Sequence, residues 1–186
     1  MGNAIEIIGL QGLPEVQEGD DVGKLIVELS QAQGIVLETN DVLVVKQKIV
    51  SKAEGRIVSL GDVIPSPLAI EIATNYNKDP RHVEVVLRES RRIVKMDMGL
   101  IISETRNGLV CANAGVDSSN VGLKEAVCLL PEDSDASARI IRSTLEQNTG
   151  AKVGVIISDS IGRPWRNGIV DMAIGLSGIQ PLRDYV

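Results

Sequence analysis

The sequence predicts an α+β fold, with mixed or antiparallel sheets packed against helices. Three observations carry that reading. Two apolar runs flank Asn107 and Gly108, which tolerate the positive φ of a tight hairpin turn. Helical patterns opened by Asp or Ser caps are interleaved with short apolar runs. Residues 153–157 are a continuous run of apolar or small residues, too short for a helix and bounded by polar residues, as in a buried strand over 153–158.

In chain order, residues 4–8 (AIEII) read as a strand, followed by a Gly/Pro/acid loop to residue 21. Asp21 is placed to cap a helix over 22–33, where Leu25, Ile26, Leu29 and Ala32 fall at helical spacing. Residues 41–45 (DVLVV) read as a short buried strand. It leads into VVKQKIVSKAEGR, a loop or helical turn carrying Gln47, Lys48, Lys52 and Arg56. Ser66 and Pro67 open a further helix. Asp79 and Pro80 open another, with Val83, Val86, Leu87 and Ile93 expected on one face. After the hairpin, a helix over 136–147 is expected, with Ser134 or Asp135 as cap and Ile140, Ile141 and Leu145 turned inward. Residues 168–179 look like a glycine-broken strand, either interior or part of a surface between two copies. No repeat or clear linker divides the chain, so residues 1–186 are read as one domain.

Composition narrows the function. The chain has 186 residues with no Phe, one Trp (Trp165) and two Tyr (Tyr76, Tyr185), so the core must be aliphatic. An aromatic ligand would find few stacking partners. The net charge of −6 argues against nucleic-acid binding, which needs excess Lys and Arg. It permits a nucleotide whose phosphates are screened by a divalent cation. Cys111 and Cys128 have no metal-type spacing and suit a reduced, cytoplasmic protein, where both read as small buried side chains. Neither a membrane-length apolar run nor a signal-peptide pattern is expected.

Standard nucleotide motifs are absent. GDDVGKL is one residue short of a P-loop and has Leu25 where Ser or Thr would touch magnesium. The single histidine, His82, lies early in a charged helix and reads as an exposed helix residue. Zinc chemistry is therefore disfavoured. Oxygen donors remain, and they suit magnesium or manganese. Asp159 follows the apolar run directly, with Ser160 next; Asp117, in NAGVDSSN, follows the second hairpin strand. A strand-end acid taken singly is commonly a turn or a helix cap. Two, each with hydroxyl or amide neighbours, point to a metal pair. Gln47, Lys48, Lys52 and Arg56 form either a solvated basic face or a phosphate clamp, and Arg163 and Arg166 around Trp165 could serve similarly.

GLPEV, IVSKAEGR, NAGVDSSN and VGVIISDSIGRPWRNG, in this order, closely resemble the coenzyme F-420:L-glutamate ligase family. That resemblance implies a gamma-glutamyl ligase-like fold, C-terminally incomplete relative to the family. It implies addition of L-glutamate to a deazaflavin precursor, with GTP as co-substrate, Mg2+ or Mn2+ as cofactor, a monovalent cation as a further candidate, and a homodimer. At matching positions, Gly12, Leu13, Pro14 and Glu15 would form a loop against the nucleotide. Gln47, Lys48 and Lys52 would face its phosphates, with Lys52 also catalytic, and Asn120 would contact it. Asp117, Asp159 and Ser160 would bind metal, both acids serving catalysis; Ser160 stands where relatives often carry threonine. Two rival readings are a divalent-metal phosphohydrolase and a non-catalytic nucleotide- or cofactor-binding fragment.

Overall fold

The computed structural model describes residues 4–119, 125–162, 167–182 and 184. Among the described residues, five α-helices and three small sheets make up an α+β fold, as expected. The helices are α1 (Val22–Ala32), α2 (Gln47–Ala53), α3 (Pro67–Tyr76), α4 (Pro80–Glu89) and α5 (Ser134–Thr149). The strands are β1 (Val42–Lys46), β2 (Ile57–Ser59), β3 (Ser90–Asp97), β4 (Leu100–Thr105), β5 (Val110–Ala112), β6 (Ala126–Cys128), β7 (Gly154–Gly162) and β8 (Ile169–Ser177). In the first sheet, β1 lies parallel to β7, and β8 pairs antiparallel on the far side of β7. Antiparallel pairs β2–β6 and β3–β4–β5 form the other two.

Local chemistry fixes most helix starts. The Asp21 carboxylate accepts from the Lys24 backbone N–H at 3.1 Å, and Val22, Ile26 and Val27 bury the inner face of α1. Ser66 and Asp79 cap α3 and α4 in the same way, each followed by a proline whose missing N–H costs nothing there. For α5 the cap is Asp133, which accepts from Ala136 N–H at 2.8 Å, rather than Ser134 or Asp135. The Asp135 carboxylate instead accepts the Leu176 N–H at 2.8 Å and pins β8 to the helix start. The buried stripe of α5 is Ala138, Ile141 and Leu145; Ile140 faces out, 66% exposed.

Three further expectations are corrected. Residues 4–8 pair with no strand among the described residues, and Ile5 and Ile7 are each 92% exposed. A strand-like pattern needs a partner for its N–H and C=O groups, and no described residue provides one here. The helix from Pro80 stops at Glu89, so Ile93 belongs to β3. A two-residue turn joins β3 to β4, with Met98 and Gly99 both at positive φ (45° and 76°), as a type I′ hairpin requires. The second hairpin, around Asn107 and Gly108, forms differently from the sequence expectation. Only Gly108 has positive φ, and Gly108 N–H donates to Thr105 C=O while Thr105 N–H donates to Leu109 C=O, as in a three-residue loop.

Two main apolar cores lie among the described residues, beside a small cluster of Ala126, Cys128 and Ile57. One gathers α1, α2, α5 and the β1–β7 strands around Val50, Leu145, Val155 and Ile157. The other gathers α3, α4 and the β4 side around Ile72, Val83, Val86, Ile101 and Val127. Arg56 ties them together. It donates to Leu130 C=O and pairs with Glu89 at 2.8 Å and Glu132 at 3.3 Å. No helix among the described residues is long and apolar enough to cross a membrane.

Glu84 links α4 to the start of α3, accepting the Ser66 N–H at 2.9 Å and pairing with Arg88 at 2.9 Å. The Ser66 hydrogen bonds, with help from Arg88, outweigh burial and hold its carboxyl below the ordinary 4.5. The folded chain therefore gives up this proton more readily than the unfolded chain. Its stabilisation is complete above the unfolded value and lost as pH falls through the depressed native value. Glu84→Gln is expected to flatten the fall of Tm on acidification, measured between about pH 3 and 6. An unchanged slope would contradict this.

Candidate functional site

The site lies where the two cores meet. β1 ends at Lys46, and the chain turns directly into α2. In the parallel register Lys46 stands beside Ser158, so β7 runs on without β1 as a neighbour. Contrary to the expectation of a strand ending at residue 158, β7 continues through Asp159 and Ser160 to Gly162. Its antiparallel partner β8 supplies the ladder that the parallel strand no longer provides. The β7–β8 register slips between Ile157 and Ser158, leaving Ile174 as an extra residue on β8. Such a bulge bends a strand locally and re-aims the side chains beside it.

Asp117 also stands elsewhere than expected. Between β5 and Asp117 lies a turn, Asn113–Gly115, whose three residues all have positive φ (51°, 52° and 72°). Left-handed backbone at Ala114, which has a Cβ, carries strain that packing must offset; Ala114 is 2% exposed in the second core. The Asp117 backbone then exchanges hydrogen bonds with Cys128, at 3.0 and 2.8 Å. This locks the acid to the edge of β6.

The first turns of α2 bring lysines to these acids. Lys48 donates to Asp117 Oδ2 at 2.7 Å and to Ser119 Oγ at 3.1 Å. Ser119 donates its own N–H and hydroxyl to Asp117, each at 2.8 Å. Burial would raise the Asp117 carboxyl, but Lys48 and Ser119 together hold it below its ordinary value. Asp159 is in the opposite condition. Burial, augmented by the negative charge of Asp117, pushes its carboxyl up despite the Ser160 backbone N–H and the cations of Lys46 and Lys48. The two acids therefore sit within electrostatic reach of one another. Cys111 feels the same field: burial and Asp159 push its thiol up to about 11, consistent with a buried inert cysteine.

The remaining sequence candidates take definite places. Lys52 pairs with Glu15, fastening the exposed Gly12–Pro14 loop to α2; Gly12 has φ 77°. Gln47, the first residue of α2, is buried. Leu13 lines a cavity of about 640 Å³ between α1 and β1, apart from the ionic cluster. Arg56 points away from the cluster, into the tie between the cores. Asn120 lies outside the described residues, as do Arg163, Trp165 and Arg166. His82 is half-buried rather than exposed, and burial with nearby Lys78 lowers it.

Two residues escape the sequence reading. Lys46 donates to Ser160 Oγ at 2.7 Å and to Asp171 Oδ1 at 3.2 Å, and lies 3.9 Å from Asp159. Asp171, on β8 opposite Ser160, accepts the Ser160 hydroxyl at 2.6 Å. That hydrogen bond, with Lys46, holds the Asp171 carboxyl low. The signal for both was positional, since each neighbours Ser160 only through strand register.

The donors suit a hard divalent cation. Asp159 keeps a half-buried carboxylate with, among the described residues, no cation closer than Lys46, and it lies beside the Ser160 hydroxyl. Among the described residues no group of three or more His, Cys, Asp or Glu side chains converges. A cation here would complete its shell with water and phosphate oxygens, as magnesium commonly does.

Residues 11–186 match the family model described as F420-0:Gamma-glutamyl ligase. The chain is 47% identical over 182 residues to the coenzyme F420:L-glutamate ligase of Methanothermobacter thermautotrophicus, covering 97% of this chain and 71% of that protein. It is 49% identical over 170 residues to the protein of the same name in Methanopyrus kandleri, covering 91% and 65%. With that of Methanocaldococcus jannaschii it shares 43% over 182 residues, covering 97% and 70%. The chain thus spans between 65% and 71% of the length of these relatives.

Proposed function

This chain belongs to the F420-0:gamma-glutamyl ligase family, and from that membership we propose that it joins L-glutamate to the coenzyme F420 precursor in a GTP- and divalent-metal-dependent reaction. The observation that supports the chemical part is two ionic groups, Asp117 held by Lys48 and Asp159 with Ser160 held by Lys46, placed so that the charge of Asp117 acts on Asp159. Bound magnesium or manganese would screen the nucleotide phosphates and draw charge from the γ-phosphoryl group. Asp117, Asp159 and the Ser160 hydroxyl would hold it.

The precursor's terminal carboxylate attacks the γ-phosphorus, and GDP leaves. The amine of glutamate then attacks the acyl phosphate carbon, phosphate leaves, and the amine loses a proton. The first step removes no proton from its nucleophile. Its difficulty is aligning two anions, which positioned cations relieve. Lys48 and Lys52, on successive turns of α2, suit that role, and both are pre-oriented by acids, Asp117 and Glu15. A site without histidine is consistent with this chemistry.

A homodimer belongs to this reading. The exposed Ile169, Val170 and Met172 of edge strand β8 support it. Two buried, unbridged cysteines support a reducing, cytoplasmic setting. The test is coupling: GTP should be consumed with manganese only when glutamate and the F420 precursor are both present. Steady GTP hydrolysis without either acceptor would replace the ligase by a phosphohydrolase.

A further inference from the structure

We propose that Lys46 is a resident counter-cation of the metal site, which an incoming divalent ion must displace, and that Asp171 receives the displaced ammonium while orienting Ser160. This deepens the metal-site reading above and rests on it. Lys46 Nζ lies 2.7 Å from Ser160 Oγ and 3.9 Å from Asp159 Oδ1, beside the two ligand oxygens contributed by β7. A magnesium or manganese ion bonded to both oxygens would stand about 2.1 Å from each, against the ammonium. Two cations cannot share those lone pairs, so one excludes the other.

The exit is built in. Asp171 Oδ1 is already 3.2 Å from the ammonium, and the Lys46 side chain is 43% exposed on a flexible stem. A short swing toward Asp171, whose side chain is 70% exposed, keeps the ammonium paired and frees Asp159 and Ser160. Asp171 also accepts the Ser160 hydroxyl proton at 2.6 Å. With the proton committed there, the Ser160 lone pairs face away from Asp171, toward the ammonium that a metal would replace. Strand register makes the arrangement. Lys46 is fixed beside Ser158, Ser160 is two residues further on the same face, and Asp171 lies opposite Ser160.

Manganese binding to the whole chain without nucleotide, followed by electron paramagnetic resonance, tests this. Lys46→Met should tighten Mn2+ by about tenfold, the scale of removing one nearby unit charge in a partly solvated site. Lys46→Arg, which keeps the charge, should stay within about twofold of wild type. Asp171→Asn should weaken Mn2+ several-fold, opposite in sign to Lys46→Met. Damage to the fold would weaken binding in both variants, so the opposed signs separate the proposal from a structural role. Asp159→Asn serves as the control. If Asp159→Asn loses Mn2+ but Lys46→Met binds it no tighter than wild type, the counter-cation proposal fails alone. If Mn2+ binding is indifferent to Asp159, or absent from wild type and Lys46→Met alike, the metal-site reading fails with it.

Discussion

Asp159→Asn should lower metal-dependent glutamate addition by about a thousandfold, the scale of removing a group that stabilises charge during transfer. Yet it should leave the protein as stable as before, or more so. The Asp159 carboxyl is held above its ordinary value by burial and by Asp117, so its ionised form is a liability in the folded chain at neutral pH. That cost is relieved as pH falls through its raised native value. Asparagine has nearly the same shape without the charge, and so removes the cost outright. Function and stability are thus expected to move apart, as at sites kept for chemistry rather than for folding. Calorimetric Mn2+ titration and a thermal melt on the same preparation check it. Intact Mn2+ affinity, or a marked fall in Tm, would count against the assignment.

Lys48→Met should weaken binding of GDP with manganese by about a hundredfold, the range for removing a charge that holds a phosphate. Manganese alone should bind at least as well as in wild type. The ammonium occupies Asp117 Oδ2 at 2.7 Å, so removing it opens that oxygen to a cation. The Lys48 side chain is 20% exposed, which limits how far water can replace it when a phosphate arrives. Titrations with manganese alone and then with GDP plus manganese separate the effects. Loss of both affinities together would make Lys48 a structural support of Asp117 rather than a phosphate ligand.

Helix starts were legible because they are local. Asp21, Ser66 and Asp79 each cap the helix that the sequence places after them, and the proline after Ser66 and Asp79 removes a donor with no partner. Features that depend on a partner strand were harder to read. The apolar run at 153–157 gives way to polar residues from Ser158, but the strand continues because β8 supplies its hydrogen bonds. The AIEII run pairs with no strand among the described residues and so forms none. Residues 90–96, which read as a charged helical tail, form β3 instead, because the turn at Met98 and Gly99 brings β4 alongside immediately after it.

The same division holds at the site. Asp117, Asp159 and the lysines of α2 stand out by residue type and setting. Lys46 and Asp171 do not: one is a lysine at a strand end, the other an acid in a glycine-broken apolar run. Their roles depend on the β1–β7 and β7–β8 registers, which a single sequence does not display.

Crystals of the chain grown with GDP and manganese, with the ion located by its anomalous scattering, test the central claim most directly. Carboxylate oxygens of Asp117 and Asp159 and the Ser160 hydroxyl should lie within bonding distance of manganese, about 2.1–2.3 Å, with GDP phosphate oxygens in the same shells. Manganese bound elsewhere, with Lys48 still clasping Asp117 and Lys46 still on Ser160, would contradict it.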